Sequence, residues 1–378
     1  MLTPVEDCYF RLLRAALWDG DTEHVDVNLN DEDWHKLLYI AERQGTAPLI
    51  YDVLLSEERK GLTPVMKQQM CAVSAHSMML QQQQLHVRLQ ATAALNKAGI
   101  QVVQIKGFTL ARHYPKPYLR SCGDVDIYVG KANYHTGAEV LRETFPDAPR
   151  FDTEEEYFRH YNINVGPVPV EMHRVSHSFS HPLDARRYDQ LEQEALLLHP
   201  KQVLYESNSW LEPEEKFNVL FVFLHSWEHF VTETVSLRQF ADLAMLLRDA
   251  AMPDLSAYLK RHLRRLHVLE AWQLYAYILV HYLGLPREKC PLYTSRAREQ
   301  AERLLVYALR AKPRQLTEKQ GRAPRNVLLR KLYTFRARTR DAQFIAKFSP
   351  HYARHMVVTN IAQSFVRFLR GQNSRHWE

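Results

Sequence analysis

The sequence predicts an α+β protein that is predominantly helical, with a small α/β module set inside a helical frame. Three observations predict it. Glycine is scarce, 12 in 378 residues, while Gln, Leu, Ala, Arg and Glu abound, which favours helices over a turn-dense all-β chain. Apolar residues recur at helical spacing through the first hundred residues and again after Asp184. From Ile100 to about Arg174 the period shortens to two in several brief β-branched runs.

The helices of the first part are expected over residues 7–17, from a capped start at Asn30-Asp31 through Trp34 and Ile40, and over about 63–97. The last contains Gln81-Gln82-Gln83-Gln84, and apolar residues on both sides make that run a polar helix face. Strands follow over 102–105, 124–129 and 168–173, with another over 157–165, and helices over 108–113 and 132–143 lie between them. Further helices are expected over 214–230, 237–249, 255–266, 270–283 and 297–311. Gly321-Arg322-Ala323-Pro324 then breaks the pattern, and the spacing of Val327, Leu328 and Leu332, and later of Ile361, Phe365 and Phe368, is again helical. The expected organisation is a helical region over 1–99, an α/β core over 100–183, a second helical region over 184–317 and a basic helical segment over 318–378.

Hydrophobic residues at 46% and charged residues at 24% give the balance of a folded globular chain and exclude a disordered one. No run of about 18 apolar residues occurs, and Met1 to Asp7 lacks the basic start of a signal peptide, so a cytoplasmic location is expected. Cys8, Cys71, Cys122 and Cys290 are scattered without a CxxC pair, which excludes a zinc knuckle or a disulfide framework and leaves free thiols. The formal charge of +6 is uneven: residues 318–378 carry 13 Lys/Arg against 3 Asp/Glu, and the remainder 36 against 40. That segment could engage nucleic acid or a membrane surface, or be a helical subdomain with a solvated arginine face. Arg330, Lys331, Arg336, Arg338 and Arg340 interleave with Tyr333 and Phe335, but no zinc finger, RNA-recognition signature or heptad accompanies them.

The chemistry concentrates on two strands. Alternation puts Asp124 and Asp126 on one face and Val125, Ile127 and Val129 on the other. In the later strand Val168, Val170 and Met172 form the buried set, leaving Glu171 and His173 opposite. If the two strands are neighbours, three carboxylates converge and need a compensating charge, for which Mg²⁺ (or Mn²⁺), as two ions, suits in-line attack on an NTP. An Asp-x-Asp strand alone is equally a solvated face. Upstream, Lys106-Gly107 ends a strand and opens a helix, where glycine lets phosphate approach backbone N–H groups and the lysine adds a cation. Arg120 could clamp a phosphate or orient the acids.

These residues, Ile105-Lys106-Gly107, Leu110, Tyr114, Arg120, Asp124-Val125-Asp126-Ile127-Tyr128-Val129 and Val170-Glu171-Met172-His173, resemble the uncharacterised bacterial nucleotidyltransferase family of the polymerase-beta-like superfamily. His225, His229 and the stretch Leu237 to Leu243 resemble its helical second half, so the likeness runs over about 101–248. The resemblance implies a minimal nucleotidyltransferase-type mixed sheet, Asp124 and Asp126 as metal ligands, and Glu171 as the third carboxylate, a ligand or general base. Lys106-Gly107 stands where the wider superfamily has Gly-Ser, a departure at the triphosphate-binding turn.

Other candidates are weaker. His173, His177 and His181 recur every four residues, but the segment leaves a strand and meets Pro182, which argues against a helical metal stack. His173 is instead expected to contact phosphate, acceptor or the neighbouring acids. His225 and His229, one turn apart, line a cleft or edge the core, and Arg238 and Asp242 brace the helical half or reach the nucleotide. The expectation is a metal-dependent nucleotidyltransferase acting on an NTP and a hydroxyl acceptor of unknown identity. The alternatives are a non-catalytic nucleotide-binding protein that engages an anionic partner through its basic tail, and hydrolysis or phosphoryl transfer at the same metals.

Overall fold

A computed structural model describes residues 2–18, 27–56, 58–148, 159–179, 181–205, 208–250, 253–310, 336 and 339–369. The chain opens with α1 (Pro4–Leu17), α2 (Asp31–Arg43), α3 (Ala47–Leu55) and the long α4 (Pro64–Lys97). Their starts are set by local chemistry. Thr3 and Glu6 form a reciprocal capping box, and Asn30 accepts from the Asp33 N–H at 2.9 Å. Thr63 accepts from the Met66 N–H ahead of Pro64 at the first helical position.

The α/β part follows as β1 (Val103–Gln104), α5 (Gly107–Ala111), β2 (Val125–Tyr128), α6 (Gly130–Thr144), β3 (His160–Val165) and β4 (Val168–His173). After α7 (Pro182–Glu192) a hairpin, β5 (Lys201–Tyr205) and β6 (Asn208–Glu212), completes one mixed sheet of order β3-β4-β2-β1-β6-β5. The helices α8 (Glu215–Thr232), α9 (Leu237–Asp249), α10 (Leu255–Arg265), α11 (Leu269–His281) and α12 (Arg298–Arg310) come next, and a helix over Pro350–Leu369 ends the described chain. The fold is α+β and mostly helical, as expected. It differs in extent: α3 and α7 were not among the expected helices, and the sheet does not end near residue 183, because β6 pairs in parallel with β1 through Val103 and Leu211. The break at Gly321 and most of the basic aromatic-arginine cluster lie outside the described residues.

Two apolar cores sandwich the sheet. Val125, Ile127 and Val129 of the second strand and its extension, with Val168, Val170 and Met172 of β4, pack under α4 and α6 through Val87, Ala91, Leu95, Tyr134, Ala138 and Leu141. Gly137 permits this close approach, since a Cβ there would meet Met172 Sδ at 2.8 Å. The larger core joins α1 to α3 with α8 to α12 and takes Val103, Ile105 and Tyr128 from the sheet. The N-terminal helices and the helices after the sheet therefore share one interior, and the acids lie on the face of β2 and β4 turned away from the smaller core. No helix among the described residues is long and apolar enough to cross a membrane.

Candidate active site

Strand pairing brings the acids together. β2 and β4 run parallel with Asp126 opposite Glu171 and Tyr128 opposite His173. Alternation then puts Asp126, Glu171 and Asp124 on one side. Asp124, Asp126 and Glu171 each offer a carboxylate oxygen within 4.8 Å of the others. Asp126 is buried, while Asp124 and Glu171 are partly exposed, Glu171 with 25% of its side chain.

Lys106 reaches this cluster because of an unusual backbone. Its φ of 54° with ψ of −149° is a conformation that favours glycine and costs another residue about 1–3 kcal/mol. Thr109 offsets this by donating both its N–H and its hydroxyl to the Lys106 carbonyl, at 2.9 and 2.7 Å. Gly107 follows with φ 42°, and its Cα lies so near the second strand that a Cβ would sit 3.4 Å from the Asp124 carbonyl. The result is a Lys106 Nζ 2.6 Å from Asp126 Oδ1 and 3.9 Å from Glu171 Oε2. His173 Nε2 lies 2.8 Å from the same Asp126 oxygen and 3.5 Å from Glu171 Oε2.

The electrostatics follow from these contacts. Burial disfavours an ionised Asp126, yet Lys106 and His173 outweigh it and hold the carboxyl below its ordinary range. Asp124 goes the other way, pushed up to about 6 by the Asp126 charge and then by burial. Burial opposes the Lys106 ammonium, but Asp126, Asp124 and Glu171 raise its pKa nonetheless. One ammonium facing three carboxylates leaves negative charge over, and Asp126 Oδ2 is buried without a hydrogen-bond partner among the described residues. An all-oxygen donor set with an orphaned oxygen fits a hard divalent cation.

The other sequence candidates separate into distinct places. Arg120 does not point at the acids: its Nε and Nη2 make two 2.7 Å bonds to the two oxygens of Asp242, and Tyr114 donates to Asp242 at 2.7 Å. Arg238 Nη1 donates to the Ser121 carbonyl at 2.7 Å. The pair Arg238 and Asp242 therefore ties α9 to the loop that leads into β2. His173, His177 and His181 diverge to three different acids, Asp126, Glu228 and Asp184. His181 shares Asp184 with His355 of the last helix, the latter at 2.5 Å, so this contact pins that helix to α7.

On the β4 side of the acids lies a second charged layer that sequence reasoning only partly found. His160 of β3 stands 3.8 Å from Glu171 Oε1. His225 and His229 of α8 meet Nε2 to Nε2 at 3.2 Å. Burial first, and then Lys106, His229, Arg159 and His177, press the His225 pKa far below its usual value. Arg159 and His177 converge on Glu228 at 2.6 and 3.1 Å, and burial of that carboxylate is outweighed by these partners. Glu228, Arg159 and His160 carried no spacing signal, because they come from two distant stretches, the start of β3 and α8, that meet only in the fold.

The mixed sheet thus sets an Asp-x-Asp strand in parallel register with an acid-x-His strand. A family described as uncharacterised nucleotidyltransferase matches residues 30–284, and the chain belongs to that family. Among solved structures it is similar to an antigenic nucleotidyltransferase-like protein from Paracoccidioides brasiliensis, with 12% identity over 56% of this chain and 94% of that one and a TM-score of 0.31. No curated protein matches the chain.

Proposed function

We propose that this protein is a divalent-metal-dependent nucleotidyltransferase that moves a nucleoside monophosphate from an NTP to a hydroxyl on an acceptor. The observation that carries the reading is the in-register meeting of Asp124, Asp126 and Glu171, with one buried carboxylate oxygen left over. These acids would hold Mg²⁺ or Mn²⁺, as one or two ions, which when bound neutralises phosphate charge and acidifies an acceptor hydroxyl.

The chain's own groups account for the rest. The acceptor oxygen attacks the α-phosphorus, the bond to the β-phosphate bridge breaks, and pyrophosphate leaves with that electron pair. Glu171, which is partly exposed, takes the hydroxyl proton, and His160 at 3.8 Å stands behind it. Lys106 and His173 both hold Asp126 through Oδ1, which leaves Oδ2 without a partner and available to a metal ion. His225 and His229 border the acceptor side, and burial holds both pKa values below their ordinary range.

The test is incubation of the purified protein with each α-labelled NTP, Mg²⁺ or Mn²⁺ and a fractionated cell extract, beside an Asp124→Ala/Asp126→Ala control. Label transferred with pyrophosphate release, and lost in the control, is expected. Nucleotide binding without transfer in any fraction would point to a non-catalytic nucleotide-binding protein. Absence of both would overturn the reading.

A further inference from the structure

The strand that carries the acids has a second flank, toward β1, where α4 crosses it and closes a pocket. Gln84 and Arg88 of α4, Lys106, Phe108, Asp124 and Asp126 line this pocket. Arg88 is its unusual member. The residue is 4% exposed, and its Nε and Nη1 are buried with no hydrogen-bond partner among the described residues. Its guanidinium lies over the Phe108 ring at 4.0 Å and faces the Trp210 ring at 5.1 Å. No carboxylate among the described residues pairs with it, and burial draws its pKa down to about 10.

The other buried cations nearby are matched. Lys106 has Asp126 and Arg120 has the two oxygens of Asp242. An arginine taken out of water without an anion is costly, and aromatic faces return only part of that cost, about 1–2 kcal/mol. Stacking on aromatic faces leaves the planar N–H edge free, and a pair of guanidinium N–H groups matches two oxygens of one phosphate. The acids that line the same pocket cannot be the missing anion, since none of them makes an ion pair with Arg88.

We infer that Arg88 is a phosphate-binding residue that takes one phosphate of the NTP on the β1 and α4 side of the acids. This rests on the nucleotidyltransferase reading and divides the site into two sides. Phosphates lie toward β1 and α4, while the acceptor enters over Glu171, toward β4 and α8. The side chain of a helix outside the strand-and-turn motif thus supplies the cation that the turn itself does not, because Lys106 is already committed to Asp126.

The experiment is calorimetric titration of the full chain with inorganic tripolyphosphate, with an NTP and with the matching nucleoside, each with Mg²⁺ present, for the wild type, Arg88→Met and Arg88→Lys. Methionine keeps an apolar stem against Phe108 and removes the charge, and thermal melts monitor folding. Expected are tripolyphosphate and NTP affinities at least about tenfold weaker in Arg88→Met, an intermediate loss in Arg88→Lys, and unchanged nucleoside binding. The melting temperature of the unliganded Arg88→Met protein should equal or exceed that of the wild type.

Affinities within twofold of wild type in both variants would overturn the assignment while leaving the transferase reading intact. So would a wild type that binds no tripolyphosphate. If Arg88→Met does not fold, Arg88→Lys decides alone. Tripolyphosphate binding that depends on Arg88 in a protein that transfers no nucleotide would keep the anion site and remove the transferase reading.

Discussion

Arg120 and Arg88 are buried almost equally, at 3% and 4% exposure, and both approach the strand that carries Asp124 and Asp126. Their charges are settled in opposite ways. Arg120 is saturated by a bidentate contact to Asp242, itself bonded to Tyr114, so nothing is left for a ligand. Arg88 has aromatic faces and two buried nitrogens, Nε and Nη1, without a hydrogen-bond partner among the described residues. Burial of a cation is therefore not what distinguishes brace from binding group in this molecule. The presence or absence of a matched acid is, and it assigns Arg120 to holding α9 against the sheet and Arg88 to an anion that comes from outside.

The largest effect should come from breaking the matched pair. Asp242→Ala strands Arg120 and the Tyr114 hydroxyl in a dry interior, with an expected loss of about 3–5 kcal/mol in urea-induced unfolding. Arg88→Met should cost nothing by the same measure. Equal losses in the two variants would erase the distinction between them. Next, Asp126→Asn keeps the shape of the shared strand but removes the charge that Lys106 and His173 organise. Label transfer should fall by about 10²–10³-fold in protein whose melting curve shows it folded at the assay temperature, and transfer at the wild-type rate would take the chemistry away from this strand.

A smaller loss is expected where the sheet is held from behind. A Cβ at Gly137 would meet Met172 Sδ at 2.8 Å, so Gly137→Ala must move the Met172 side chain, next to Glu171, or displace α6. Overpacking of this kind costs about 1–3 kcal/mol. Since Met172 separates Glu171 from His173, transfer should drop more than phosphate binding does. A parallel drop in both would mean that the two sides of the site are not independent.

The acid-bearing strands were legible because a period of two leaves no freedom: once Val125 and Ile127 face inward, Asp124 and Asp126 must face the other way, and the same holds for Glu171 between Val170 and Met172. The helical frame was legible from its periodicity, and the bounds of α9 and β4 coincide with the expected ones. The hairpin β5–β6 was not, because its strands are short and edge-exposed: Val203, Trp210 and Glu212 are buried while Leu204 faces solvent. Arg120 misled because its neighbour in sequence is Asp124 while its partner in space is Asp242 on α9, a tertiary contact that no local spacing encodes. Arg88 was invisible for the opposite reason. It follows the Gln81–Gln84 run on what reads as a solvated face, and only packing against Phe108 and Trp210 reveals that this face is covered. Gln84 is likewise buried and donates to the Cys122 carbonyl at 3.3 Å.

The smallest effect separates the two sides of the site by pH. His225 and His229 lie on the Glu171 side, and both have pKa values lowered chiefly by burial. An unfolded imidazole titrates near ~6.5, so below that pH the unfolded chain binds protons that the folded one refuses. The stability tied to these neutral histidines is fully present above ~6.5 and is lost as pH falls toward their folded values. Arg88, with a pKa drawn down only to about 10, stays cationic throughout that range and adds no slope. The melting temperature should therefore decline between about pH 7 and pH 5, less steeply in His225→Asn than in the wild type, and with the wild-type slope in Arg88→Met. A slope untouched by His225→Asn would move the proton-linked stability off α8, and the β4 side would lose its claim to being the titrating half of the site.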